Sequence, residues 1–433
     1  MPAGWLTRPT EPRHPLHASL LSSLRGPASL REIADMEQLV HALRDSNPAW
    51  GTLCGKQVGA FCAGESSVGT PVADVQWITC PECRSRLVDS AMSVEDYQPR
   101  STLVVPAHHL TRARYRFADV HNHQDSMMSQ EKLDGVVAQM DSLGLGVMVN
   151  LNGGFGKRLR QGVCNMNLQH PGRFILFANI DFSRIDSPDY PRRAADQFAE
   201  DVRNGAQGLK IFKNLGMDWK DGRGERIHVD DRRFDPLFET CAALKTPVLI
   251  HTADPKPFFE PVDRYNERWL ELKQFPTRHH PPDRCPNWQI LIEEQHRLFA
   301  RHGGTLFINA HLGWLGNDLD QLGNLLNRLP NVYTEFGAVI AELGRQPRQA
   351  RTWFIRYQDR VLFGKDSWNP AEYHTCFRVL ETTDEYFDHY RRGHGLWKLY
   401  GLGLPDEVLR KVYYGNALRI LPRIDPAGFG STP

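Results

Sequence analysis

The sequence has no charge of one sign to spare. Its 433 residues carry 52 Lys and Arg against 51 Asp and Glu, a net charge of +1. The basic excess that draws a protein to nucleic acid or to an anionic membrane surface is missing, so neither partner is expected. Long apolar runs are missing too: no stretch approaches the ~18 consecutive apolar residues of a membrane span. The opening MPAGWLTRPTEPRHPLHASLL puts Arg, Glu and Pro where a secretory leader needs an apolar core. Those absences predict a cytoplasmic protein, whose eight cysteines are then reduced or metal-bound rather than paired. There is no internal repeat and no low-complexity tract.

What is present is a rhythm. Apolar residues make up 41% and charged residues 24%, an ordinary globular balance. The length suits a barrel-sized domain plus an extra piece. From about residue 115, short apolar runs alternate with amphipathic segments. The runs are 117–123, 145–151, 174–181, 208–213, 247–254, 305–313, 331–338 and 360–368. Their near-continuous apolar character fits parallel strands covered on both faces. Between them, Leu133, Val136, Val137, Met140 and Leu143 recur at helical spacing; so do Phe234, Leu237, Phe238 and Cys241, and Leu319, Leu322, Leu326 and Leu329. Eight strand–helix units predict an α/β fold, a (β/α)8 TIM barrel. The alternative, a doubly wound open sheet, lacks its Gly-rich fingerprint after the first strand. Residues 1–110 do not join the rhythm and read as a small N-terminal extension. The barrel is expected over 111–425.

In such a barrel the chemistry sits at the carboxyl ends of the strands. The first run ends in His121 and His123, whose alternate spacing in a strand sends both imidazoles the same way. The fourth carries Lys210 and then Lys213, the fifth ends in His251, the sixth in His311 and the eighth in Asp366. Any one of these histidines alone reads as a hydrogen-bonded structural residue. Four histidines and an aspartate on one rim read as a divalent metal site: zinc and similar ions take imidazole nitrogen and carboxylate oxygen, and a catalytic site keeps a position open for water. Such an ion lowers the pKa of that water to roughly 7.

With the HxH pair, the two later histidines and the final aspartate in place, the sequence resembles the amidohydrolase superfamily, in particular its amidohydrolase-2 branch. The closing YYGNALRILP (413–422) is similar to that family's terminal Asn-Ala motif. The resemblance covers about 115–422. It implies that His121, His123, His251 and Asp366 bind the metal. His311 then either holds a second metal or serves as proton donor or electrophile, and Asp366 doubles as the proton carrier. Some superfamily members carry a carboxylated lysine on the fourth strand that bridges two metals. Lys210 takes either that role or the binding of a substrate anion. The sequence departs from the branch at Lys365, where a small or hydroxylic residue is usual; its cation either lowers the pKa of Asp366 or turns away toward substrate.

Two long segments follow the fourth and fifth strands. The second, from Asp254 to Trp288, holds Phe258, Phe259, Tyr265 and Trp269 and is expected to form a packed lid, with His279 and His280 exposed on it. After the second strand, Gly153, Gly154 and Gly156 precede Lys157, Arg158 and Arg160, a candidate anion cradle. Lys213 and Arg345 are substrate-binding candidates by position.

The extension has its own pattern. Cys80 and Cys83 form a CxxC pair, with Cys54 and Cys62 upstream. Thiolates at that spacing are half of a structural zinc site. The stretch around them resembles small zinc modules in which a His and a Cys precede the CxxC, leaving His41 or Cys62 as fourth ligand of a zinc-ribbon-like extension. The reading that results is a metal-dependent hydrolase that cleaves a C–N or C–O bond of a small anionic amide, lactone or ester. Zinc is the first choice of metal, with manganese, iron or cobalt as alternatives, and the lid aromatics suggest a homodimer. Two alternatives stand beside it: non-oxidative decarboxylation of an aromatic or unsaturated carboxylic acid at the same metal, and a non-catalytic binding protein built on the zinc module.

Overall fold

The computed structural model describes residues 93–94 and 96–429. The proposed zinc module, with His41, Cys54, Cys62, Cys80 and Cys83, lies outside the described residues. The chain divides into Met1–Ser101 and Thr102–Pro433, and the fold below is that of the second unit.

Among the described residues, nine strands run in parallel: β1 (Phe117–Asn122), β2 (Leu145–Asn150), β3 (Phe174–Leu176), β4 (Ala178–Asn179), β5 (Leu209–Ile211), β6 (Val248–Ile250), β7 (Phe307–Asn309), β8 (Val332–Glu335) and β9 (Val361–Leu362). They pair in chain order, β1-β2-β3 and then β4 through β9. β3 and β4 are halves of one stave broken at Phe177, whose N–H bonds back to Asn150 O (3.0 Å) while Ala178 N bonds forward to Gly208 O (2.9 Å). The ring closes between last and first: Val120 N donates to Phe363 O at 2.9 Å, and Asn122 bridges to Asp366 in parallel. Nine strands thus make eight staves of a closed barrel, at each of the eight expected runs. Closure removes the open edges that a doubly wound sheet would keep.

Among the described residues, the eight longer helices follow the staves: α1 (Gln130–Leu143), α2 (Gly156–Asn167), α3 (Tyr190–Arg203), α4 (Asp235–Ala243), α5 (Trp288–Arg301), α6 (Leu319–Arg328), α7 (Pro347–Tyr357) and α8 (Pro370–Glu381). α1 shows how local sequence sets the bounds. The Ser129 hydroxyl accepts from Lys132 N at its start, and Gly144, at φ 84°, takes the left-handed position that ends it. Its expected stripe is the buried face, except that Val136 is only partly covered. The stripes of α4 and α6 are buried in the same way, Leu329 being the partial member. The Asn-Ala motif has a structural use: Asn416 is buried, and its amide donates to Gln358 O and Val361 O, both at 2.7 Å, tying the C-terminal helix to the start of β9. No helix among the described residues is long and apolar enough to cross a membrane.

Candidate metal centre

β1 delivers His121 and His123 to the barrel mouth. His121 Nε2 and His123 Nε2 are 3.3 Å apart, and Asp366 Oδ1 lies 3.4 Å and 3.5 Å from them. On the other side His311 Nε2 stands 3.3 Å from His251 Nδ1, and the rings of His121 and His311 are 4.8 Å apart between centroids. All five residues named from the sequence therefore meet at one rim.

The donors of His121, His123 and Asp366 lie close enough together to share a divalent ion. Ligand nitrogens ~2.0–2.1 Å from a shared tetrahedral ion stand about 3.3 Å from one another, which is the spacing of both histidine pairs. The outer nitrogens are held so that lone pairs turn inward. His121 Nδ1 meets Glu335 Oε1 at 2.9 Å and His311 Nδ1 meets the Gly337 carbonyl at 2.7 Å. Carboxylate and carbonyl oxygens only accept, so both Nδ1 atoms carry a proton, and in the neutral rings both Nε2 lone pairs are left for a ligand. His123 Nδ1 makes the matching contact to Asn152 Oδ1 at 2.8 Å. In a neutral ring, that tautomer leaves His311 Nε2 as an acceptor, the form a metal ligand needs.

Electrostatics favour the ligating forms. Burial, helped by the Lys210 charge, lowers His121 to about 3. Burial and the neighbouring His311 and Lys210 hold His251 well below its ordinary value. Burial opposes ionisation of Asp366, but its contact with His123 and the charge that His121, His311 or His123 carries whenever one of them is protonated lower it well below its ordinary value, so it is a carboxylate. Glu335 is lowered to about 2 against its burial. With His121 neutral over the working range, hydrogen bonds from His121 Nδ1, His311 N (2.7 Å) and Gly337 N are what hold that carboxylate.

Backbone strain gathers here. His311, Leu312 and Trp314 after β7, Ala253 after β6, Ala338 after β8 and Asp366 after β9 all have φ between +53° and +79°. Non-glycine residues rarely adopt that region, and where they do the surrounding packing must over-determine it. In the loops after β7 and β9 the residues so held, His311 and Asp366, are themselves members of the cluster.

Two positions that reasoning along the sequence missed hold the cluster together. Glu335, fully buried at the end of β8, was a charged residue in an apolar run, which was the available signal. Asp119, buried within β1, accepts from His121 N (3.0 Å), Lys365 N (3.1 Å), Asn122 Nδ2 (3.0 Å) and Tyr373 Oη (2.6 Å). It joins the strand that bears two ligands to the loop that bears the fifth.

The flanking cations differ from expectation. Lys365 does not pair with Asp366: it is buried and bonds Glu372 at 2.6 Å, its side chain turned to α8. Lys213 is paired with Asp254 (2.6 Å), and Arg345 with Glu267 and Glu342. Among these candidates only Lys210 has a buried nitrogen without a hydrogen-bond partner; it sits 5.3 Å from the Phe212 ring, and burial lowers it to about 8. The glycine cradle after β2 is occupied from within, since Gly154 N donates to Asn179 Oδ1 and Gly156 N to Asp201 Oδ1. His280 is half-buried on Asp254 rather than exposed. A cleft of about 550 Å³, with Asn152, Arg158, Asn179 and Phe212 in its walls, opens beside His123. A separate triad, His228, Asp230 and Glu294, is spaced for a metal, but Arg226 already occupies both oxygens of Glu294.

Residues 119–423 match the family model of the amidohydrolase-2 family, described as an amidohydrolase. No curated protein matches. Among solved structures, the chain is similar to a dihydroxybenzoic acid decarboxylase from Polaromonas with bound manganese and the inhibitor 2-nitroresorcinol, at 15% identity and TM-score 0.48 over 72% of this chain and 99% of that one. It is also similar to an uncharacterized TIM-barrel protein from Bordetella bronchiseptica, at 16% and 0.44 over 71% and 99%. A third is a 4-oxalomesaconate hydratase from Rhodopseudomonas palustris, at 15% and 0.43 over 72% and 97%. With the family match spanning well over half of its length, the chain is an enzyme that belongs to the amidohydrolase-2 family.

Proposed function

We propose that the enzyme is a metal-dependent hydrolase acting on an amide, lactone or ester bond of a small anionic substrate. The observation that carries this reading is Asp366. Its carboxylate is ionised, lies within 3.5 Å of two imidazoles, and keeps 32% of its side chain exposed at the mouth. His121, His123, His251 and Asp366 would hold a divalent ion, zinc first with manganese, iron or cobalt as alternatives, and His311 as the additional ligand. When bound, the ion supplies Lewis acidity and a water of lowered pKa. Asp366 takes the proton of the attacking water and returns it to the leaving nitrogen or oxygen. Glu335 and Asn152 keep the imidazoles aimed, and the cleft beside His123 receives the substrate, with the Lys210 cation as partner for its negative group.

A second reading, non-oxidative decarboxylation, draws on that same cation. An unpaired ammonium buried beside the Phe212 ring would supply the proton that takes the place of the departing CO2 on carbon. Turnover in H2(18)O separates the two. Label entering the product supports hydrolysis; CO2 release without label rejects it. Metal analysis of the wild type beside Cys80→Ser counts the barrel ion apart from the proposed N-terminal zinc.

A further inference from the structure

His251 differs from the other rim histidines in how its outer nitrogen is served. His121, His123 and His311 each give Nδ1–H to a fixed acceptor. His251 turns Nδ1 inward, toward His311, and its Nε2 is buried with no hydrogen-bond partner. The carboxylate within reach is Asp254, with Oδ1 at 3.9 Å.

Asp254 is itself held from the far side. Its Oδ2 accepts from Lys213 Nζ at 2.6 Å and from His280 Nε2 at 2.7 Å, and its backbone carbonyl accepts from Trp288 Nε1 at 3.1 Å. His280 comes from the long 255–287 segment. There its own N–H donates to Phe258 O at 2.8 Å and its ring lies 4.9 Å from that of Phe259. The loop that carries Asp254 is pinned just before it, since Trp314 Nε1 donates to the Ala253 carbonyl at 3.0 Å.

We propose that His280 is a positioning residue which, through Asp254, aims His251 at the barrel centre and so couples the 255–287 segment to metal binding. The proposal rests on the metal reading above. Carboxylate torsions are soft and roughly two-fold, so a carboxylate held at one oxygen by one flexible lysine swings freely. Two donors on Oδ2, one of them a rigid imidazole, fix its plane and leave Oδ1 facing His251 Nε2. A carboxylate beside the outer nitrogen of a ligating histidine sets its tautomer and orientation. The coupling runs both ways: an ion that holds His251 in its ligating pose also holds Asp254, and through it His280 and the segment.

The test uses the full chain, stripped with a chelator and titrated with Mn2+ by electron paramagnetic resonance. His280→Ala is expected to weaken binding about ten-fold, the lower end for losing an outer partner of a metal ligand. His280→Gln, which restores an N–H donor, is expected to recover most of that loss. In the wild type, saturating Mn2+ is expected to slow proteolysis within 255–287, where Tyr265 stands 81% exposed, several-fold; this second measurement needs no variant to fold. Wild-type affinity in His280→Ala, equal losses in the Ala and Gln variants, or cleavage indifferent to Mn2+ would each overturn the coupling alone. A wild type that binds no Mn2+ at the barrel overturns the metal reading along with it.

Discussion

Lys210→Met is the most informative single change, because stability and activity should move in opposite directions. The Lys210 nitrogen is buried without a hydrogen-bond partner, and burial lowers its pKa from 10.5 to about 8. At ~1.36 kcal/mol per unit, keeping the charge at pH 7 costs the fold about 3 kcal/mol. Methionine removes the charge at similar length; imperfect repacking returns up to ~1.5 kcal/mol. The net gain is about 2 kcal/mol, roughly 4 °C in Tm for a domain of this size. The pH dependence has a definite sign. The folded-state pKa lies below the unfolded one, so the penalty is complete below about 8 and is relieved as pH rises toward 10.5. Wild-type stability therefore climbs through that window and the advantage of the variant shrinks to near zero by about pH 10. Calorimetry on chelator-treated protein at pH 7 and pH 10 reads both values, and turnover on any anionic substrate should fall. A variant that melts lower at pH 7, or an advantage that does not change with pH, would refute the picture of an unpaired buried ammonium.

Asp366→Asn should abolish turnover with the barrel still folded by circular dichroism, since the amide cannot carry the proton; normal turnover would remove Asp366 from its assigned role. Glu335→Gln should weaken metal binding ~10–100-fold by equilibrium titration, because an amide nitrogen facing His121 Nδ1 favours the tautomer with its proton on Nε2. In Gly364→Ala the added methyl would collide with Glu335 Oε2; loss of metal affinity together with a lower Tm is expected by titration and calorimetry.

Much of the site was legible because barrel chemistry is confined to strand ends. Once eight apolar runs are counted, the residues toward the carboxyl end of each are candidates, and His121, His123, His251, His311 and Asp366 stand out by type alone. The supporting residues were not legible in that way. Asp119 and Glu335 look like stray charges in apolar runs, and their value appears only when β9 is hydrogen-bonded to β1 and β8 lies beside β7. The cations were the weakest point. Lys210, Lys213, Arg345 and Lys365 are alike as letters, and whether each is free depends on the carboxylate that long-range packing puts next to it.

By itself, the sequence determined the eight-unit alternation, the helix stripes and the ligand types, because these depend on periodicity and on chemistry carried by single residues. Tertiary structure alone decided the closed ring, the tautomers of the imidazoles and which of the four candidate cations near the site is left unpaired, because each of these depends on which distant groups come within hydrogen-bond reach.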